Sequence, residues 1–454
     1  MANAKPPNIV IFFTDQQRWD SSGLHGCPLD LTPNFDRFAA GGTHLSQCIT
    51  PQPVCGPARA CLQTGRYATE HGAWSNAHPL DPSSTTLATL LGDAGYHTGY
   101  FGKWHLNGTG RGRDQAVCAD RRLGYQTWLG ANVLEFCSQP YRCTLYNERD
   151  EQVTLPGYRV DAVTDAAIRY IAERAEAHEP FLAFISILEP HHQNELFDYV
   201  PPHGYRSRYA GRWLPPDLQG LSGNAARHAG GYFGCIKRCD EAFGRVLDAL
   251  ESLNLRDTTN VVYTSDHGCH FGTRHGIDKR SPHESSVRVL GALGGADFDG
   301  RGRVDRPVSL VDIAPTLLRT AGVAAPDDMR GRALQDLLDL PAARRGDTDA
   351  LVQFGDANYC PAGRALRTRR WKYAVACESD TMGDDGTATS YREACLYDLE
   401  HDPYELCNLV ADKTWASTRE ALRDRLLERM SEIGEPACEI LPPQSEARPA
   451  GSRY

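Results

Sequence analysis

No apolar run in the chain approaches the length of a membrane span, and the stretch Ile9 to Phe13 is too short for the core of a signal peptide, so neither a membrane helix nor a membrane partner is expected. Excess positive charge is also missing. With 48 Lys and Arg against 58 Asp and Glu the formal charge is −10, which argues against nucleic acid as a partner and against anionic polymers held by the general field. An anionic substrate therefore needs a local cationic pocket. Zinc-type Cys-x-x-Cys pairs are absent and there are no internal repeats, which sets aside a zinc ribbon and a solenoid.

What is there is the composition of an ordinary globular protein, 41% hydrophobic and 23% charged. At 454 residues the chain exceeds the size at which one core usually stops growing, so one large domain and a smaller one are expected. A run of Pro, Ala, Arg and Gly around Leu340 to Thr348 reads as a linker and divides the chain into 1–340 and 341–454. The 15 cysteines are odd in number and scattered, and read as buried free thiols rather than a disulfide framework. Cys235 and Cys239 lie one helical turn apart in a stretch that otherwise reads as helix. The first strand follows Met1 closely, which suggests a cytoplasmic protein or one whose secretion signal has been trimmed.

The run Asn8 to Thr14 is continuously apolar and β-rich, as in a strand buried on both faces of a largely parallel sheet. It ends in Asp15-Gln16. Such groups fall where open α/β sheets bind ligands, although an isolated Asp-Gln reads more readily as a solvated strand end. The run Asn260 to Ser265 repeats the theme and ends in Asp266-His267, and two such ends could converge on one divalent cation. A third strand, Phe181 to Leu188, ends in Glu189-Pro190-His191-His192, and a fourth, Tyr96 to Gly102, delivers Lys103-Trp104-His105. On extended backbone Lys103 and His105 leave the same face, pairing a permanent cation with a group that trades protons near neutral pH.

Helices are expected over Arg159 to Ala177 and Asn224 to Ser252, and near Thr32-Pro33, where Thr32 supplies an N-cap. Residues 106–158 show little periodicity and read as an excursion that shapes a substrate pocket. Beyond the linker, Leu351 to Phe354, Gly363 to Arg369, Lys372 to Cys377 and Ala394 to Leu399 read as strands of a small sheet, closed by a helix over Thr414 to Ile433.

The stretch Pro53-Val54-Cys55-Gly56-Pro57-Ala58-Arg59 places a thiol between a proline-punctuated loop and a helix read over Ala58 to Gln63, with Pro57 at its first position and Gly65 at its end. A thiol beside a helix N-terminus sits where anions are favoured. Cys55-x-Pro57-x-Arg59, with Leu62-Gln63-Thr64-Gly65-Arg66 after it, resembles the signature of the type I sulfatases of the alkaline phosphatase superfamily. Thr32 to Phe38, Gly102-Lys103-Trp104-His105, Pro190-His191, Lys279 ahead of Pro282-His283-Glu284-Ser285, Arg370-Trp371-Lys372-Tyr373 and the run from Leu396 to Leu409 are similar to further segments of that family, in order. Here His283 and Ser285 stand where an aromatic and a second acid are usual.

The resemblance implies an α/β/α sandwich around a mostly parallel mixed sheet, with a smaller C-terminal α+β subdomain built on an antiparallel sheet. It implies a formylglycine made from Cys55 by a maturation enzyme, and release of sulfate from a sulfate ester, most often of a carbohydrate. Arg59 would hold the modified side chain, Lys103 and Lys279 would bind sulfate, His191 would protonate the leaving alcohol, and His105 would deprotonate the nucleophile's second hydroxyl. His192 is the alternative to His191 or a substrate contact, and Asn76 matches a position that touches the transferred group. Asp15, Gln16, Asp266 and His267 would hold the metal, most often calcium, with manganese or magnesium as the alternatives that Gln and His admit. Gln16 and His267 also resemble the phosphonate monoester hydrolases, whereas Lys103 and His105 favour the sulfatases; a silent binding protein of the same fold is the non-enzymatic alternative. Trp74, Trp104 and Trp128 are candidates to stack on a sugar or an aryl group.

Overall fold

A computed structural model describes residues 5–443 except 111, 178, 275, 341–347, 357–359 and 378–382. The linker expected over Leu340 to Thr348 thus falls almost wholly outside the described residues.

The large sheet contains β1 (Asn8–Asp15), β2 (Thr43–Ile49), β3 (His97–Lys103), β4 (Thr127–Ala131), β5 (Cys143–Tyr146), β6 (Gln152–Leu155), β7 (Phe181–Pro190), β8 (Thr259–Ser265), β9 (Arg288–Val289), β10 (Gly291–Gly295) and β11 (Gly302–Ser309). Its order is β11-β2-β10-β8-β1-β7-β3-β4-β5-β6, with β9 on β2. The central strands β8, β1, β7, β3 and β4 run parallel, while β10 is antiparallel to both of its neighbours. Four parallel neighbours therefore end at one edge of the sheet, and those ends carry Asp266, Asp15, His191 and Lys103. The aperiodic stretch beyond residue 106 supplies β4, β5 and β6 at the far side.

The alternation of β1 explains its unbroken apolar run. Ile9, Ile11 and Phe13 enter one core with the helices Cys55–Thr64, Leu87–Asp93 and Ile313–Thr320, while Val10 and Phe12 enter the other with Pro33–Gly41, Arg159–Ala175 and Ala225–Ser252. Each such side chain contributes about 1.5–3 kcal/mol by leaving water. Trp104 and Trp128 belong to the first core, in a cluster with Tyr100 and Tyr125. They are fully buried, so neither is a platform for a sugar. The described cysteines are free thiols, Cys235 and Cys239 among them.

Two local expectations are corrected. Thr32 precedes the helix Pro33–Gly41, but its hydroxyl makes no capping bond there and donates instead to Asp36 Oδ1 and the Ser21 carbonyl. The cap is Asp240 of the long helix, whose carboxylate accepts from the backbone N–H of Asn34 and Phe35 at 3.1 and 2.8 Å. The signature helix begins at Cys55 rather than at Pro57, and it tolerates Pro57 as its third residue because N–H groups of the first turn have no intrahelical partner.

The small sheet, β12 (Ala350–Asp356), β13 (Cys360–Arg367), β14 (Trp371–Cys377), β15 (Ser390–Asp398) and β16 (Glu439–Leu441), is antiparallel except for β16, which pairs parallel to β15 and was too short to show in the sequence pattern. The helix Ala416–Glu432 packs on it, and its core extends to Cys61, Tyr67 and Val311 of the large unit. A buried charge cluster joins the two sheets. Glu284 meets Lys372 at 2.6 Å and Arg367 at 2.9 Å, and Lys372 reaches Glu405 at 3.1 Å.

Removing one partner from such a buried set leaves uncompensated charge. Glu284→Gln is expected to lower stability by about 3–5 kcal/mol in chemical denaturation; a loss below about 1 kcal/mol would show that the cluster does not join the sheets energetically.

Candidate active site

Arg59 is the centre of the site. Its guanidinium donates to Asp15 Oδ2 and Asp266 Oδ2, both at 3.0 Å, to Ser186 Oγ at 2.7 Å and to the Lys103 carbonyl at 2.9 Å. The signature helix is thereby tied to the ends of β1, β8, β7 and β3. Lys103 donates to Asp15 Oδ2 at 2.7 Å and to Glu135 Oε1 at 3.0 Å.

Cys55 lies among these groups and is itself buried. Its Sγ is 2.9 Å from Lys279 Nζ, 3.3 Å from His267 Nε2 and 3.8 Å from Asp15 Oδ1. Burial alone would raise the thiol's pKa, but Lys103, Lys279 and His267 together outweigh it and hold the thiol well below its ordinary value. Lys279 also reaches His191 Nε2 at 3.2 Å and His267 Nε2 at 3.0 Å. His191 Nδ1 faces the His192 carbonyl at 2.7 Å, which turns Nε2 inward.

His105 arrives by a different route from the one expected. β3 stops at Lys103, and His105 has φ 56°, so the alternation of an extended strand does not govern the pair. Burial and Lys103 push the His105 pKa down, and the nearby Cys55 partly offsets this. His192 stacks on His191 at 4.5 Å but is partly exposed and 3.9 Å from Asp278, at the rim. Asn76 Oδ1 accepts from the Gly56 N–H at 3.0 Å, so that atom caps the signature helix.

Three of the four residues expected to bind metal, Asp15, Asp266 and His267, come together with Cys55. Oxygen, nitrogen or sulfur atoms of Asp15, Asp266, His267 and Cys55 lie within 4.8 Å of one another. His267 Nδ1 is turned to the Gly268 carbonyl at 2.9 Å, which leaves Nε2 facing Asp15 and Asp266 at 3.6 and 3.5 Å. Gln16 follows from its contacts: an ammonium only donates, so the atom 3.4 Å from Lys279 Nζ is Oε1, and Nε2 donates to Tyr199 Oη at 3.1 Å and Cys269 Sγ at 3.5 Å. The Asp266 pKa is raised by burial and by the adjacent Asp15 charge, the strain that a bound cation relieves. This donor set fits a hard divalent ion.

Glu135, Ser186, Tyr199 and Cys269 escaped the sequence reading. Ser186 lies in the strand that leads to His191, a weak signal; the others stood in segments without a pattern.

Residues 7–323 match the family model described as sulfatase, and residues 272–432 match one described as N-sulphoglucosamine sulphohydrolase, C-terminal. This chain belongs to the sulfatase family. It is a sulfuric ester hydrolase of the alkaline phosphatase superfamily. Among relatives, it is 30% identical to the ulvan-active sulfatase of Formosa agariphila over 94% of this chain and 82% of that one. It is 24% identical to the N-acetylglucosamine-6-O-sulfatase of Bacteroides thetaiotaomicron over 93% of this chain and 86% of that one. The structure superposes on the putative sulfatase yidJ of Bacteroides fragilis with a TM-score of 0.81 at 25% identity, covering 96% of this chain and 98% of that one.

Tyr199→Phe removes an acceptor that orients the Gln16 amide. Divalent metal is expected to bind this variant about tenfold more weakly, the lower range for loss of a partner behind a ligand, as read by calorimetric titration of the apoprotein. Unchanged affinity would mean that Gln16 needs no such support.

Proposed function

We propose that this sulfatase releases inorganic sulfate from a sulfated carbohydrate, using a formylglycine made from Cys55 by a maturation enzyme and a divalent metal held by Asp15, Gln16, Asp266 and His267. The observation that carries the reading is the placement of Cys55 Sγ, 2.9 Å from Lys279 Nζ and 3.3 Å from His267 Nε2, with the cation-rich wall of Arg59 and Lys103 behind it. A carbohydrate is supported by relatives that include an N-acetylglucosamine-6-O-sulfatase. Calcium is the metal proposed, with manganese or magnesium as alternatives. Bound metal would draw charge from the sulfate oxygens and favour ionised Asp15 and Asp266.

The chain's own residues divide the remaining work. Arg59, fixed by two carboxylates, holds the residue-55 side chain in register. Lys103 and Lys279 take the non-bridging sulfate oxygens. As a hydroxyl of the hydrated residue 55 passes its proton to Asp15 Oδ1, which lies 3.8 Å from the Cys55 sulfur, and bonds to sulfur while the sulfur–alkoxide bond breaks, His191 in its imidazolium form gives a proton from Nε2 to the departing oxygen. His105, its pKa pushed down by burial, then accepts the proton of the remaining hydroxyl as sulfate leaves and the aldehyde reforms.

The test is release of free sulfate from a panel of sulfated hexosamines, galactose and uronic acid units, with an aryl sulfate, choline sulfate and a phosphonate monoester beside them. Release from a sugar sulfate, abolished by Cys55→Ala and accompanied by an aldehyde at residue 55 in peptide mass spectrometry, is expected. Turnover of the phosphonate alone would overturn the reading.

A further inference from the structure

Glu135 has no part in the steps above, yet it stands inside the site. It lies on the short helix Leu134–Cys137 and is 3% exposed. Its Oε1 is 3.0 Å from Lys103 Nζ, and among the described residues its Oε2 meets no hydrogen-bond partner. Gln193 Nε2 donates to the Glu135 carbonyl at 3.0 Å, which ties the residue to the turn just after His191 and His192. Burial opposes its charge, but Lys103, His191 and His105 outweigh burial and hold its carboxyl down at about 2.

A carboxylate beside an anion pocket repels the anion, and Lys103 already has Asp15 as a counter-charge at 2.7 Å. A structural need for Glu135 is therefore weak, and its charge has another consequence. Around residue 55, Arg59, Lys103 and Lys279 face Asp15, Asp266 and Glu135, three cations against three carboxylates. A neutral residue at position 135 would leave the pocket one positive charge richer. A sulfate ester carries a single negative charge, whereas a phosphate monoester carries nearly two above its second ionisation near pH ~6.

We propose that Glu135 is a specificity-determining residue, cancelling one cationic charge beside the transferred group so that the pocket takes singly charged esters and turns away phosphate monoester dianions. It acts through Lys103 and through the field rather than on the reacting atoms. The inference rests on the proposed sulfuryl transfer. One extra ligand charge at about 6–10 Å from a carboxylate, at an effective dielectric of about 20, corresponds to a factor of about ten to a hundred.

The test uses the matured, metal-loaded protein at about pH 8, where the phosphate monoester is a dianion. Wild type, Glu135→Gln, Glu135→Ala and Glu135→Asp are compared on 4-nitrophenyl sulfate, 4-nitrophenyl phosphate and a 4-nitrophenyl phosphonate monoester. The inhibition constant of the phosphate monoester against turnover of the singly charged ester is read in parallel. Both neutral variants are expected to raise the phosphate-to-sulfate ratio of kcat/KM about tenfold or more and to tighten phosphate inhibition similarly. Glu135→Asp should return both to wild-type values, and the ratio between the two monoanions should stay constant. Equal loss on all three esters with unchanged phosphate inhibition would assign Glu135 a purely structural role and overturn the proposal. Wild-type turnover of the phosphonate without the sulfate would sink the sulfatase reading instead, and the phosphate-to-phosphonate ratio would still decide the role of Glu135.

Discussion

The pairing of one guanidinium with two carboxylates from different strands is the constraint on which this site depends. Arg59 lies 3.0 Å from both Asp15 and Asp266, and none of the three is more than 1% exposed. Taking such charges out of water costs several kcal/mol per ion unless the geometry compensates. Compensation here comes from Ser186, the Lys103 carbonyl and the Lys103 ammonium, so β7 and β3 are needed to keep the pair of β1 and β8 in place. The parallel order β8-β1-β7-β3 is what allows this, since it brings four carboxyl ends side by side. Cys55, one helical turn before Arg59, is delivered to the cluster by the same contacts.

The sequence made much of this legible because the important residues follow strong periodic signals. Asp15, Asp266, His191 and Lys103 each come at the end of an apolar run, where strand assignment is most secure and where ligands of α/β sheets gather. Cys55 and Arg59 were marked by Pro57 in the first turn of their helix and Gly65 at its end. What was not legible depends on distance in the chain. Glu135 lies in an excursion without periodicity, and only its 3.0 Å contact with a lysine 32 positions earlier gives it meaning. Thr32 had every local feature of a capping residue, yet Asp240, 206 positions from Asn34, does the capping. A carboxylate supplied by a neighbouring helix outcompeted a hydroxyl that had Asp36 to bond. The buried tryptophans show the opposite limit, for composition identifies an aromatic cluster but not whether it faces solvent.

The smaller sheet bears on the position of Lys279 although none of its own residues reaches Cys55 among the described contacts. Lys279 stands at the start of a segment that continues through His283 and Glu284. The backbone N–H of Glu284 donates to Glu405 Oε2 at 2.6 Å, and His283 Nε2 lies 3.4 Å from the Tyr397 hydroxyl. Upstream, Arg274 donates to the carbonyls of Tyr404 and Glu405 at 3.2 and 2.8 Å. The loop that presents Lys279 is thus fixed on both sides by one turn of the C-terminal region. The family match over residues 272–432 spans this loop together with the sheet that anchors it. A long lysine side chain loses substantial rotamer entropy when it is held 2.9 Å from a single sulfur, and that cost is lowest when its backbone is already fixed. The C-terminal region therefore bears on the site through the placement of one ammonium group, and the buried charge cluster of Glu284, Arg367, Lys372 and Glu405 holds the segment that carries it.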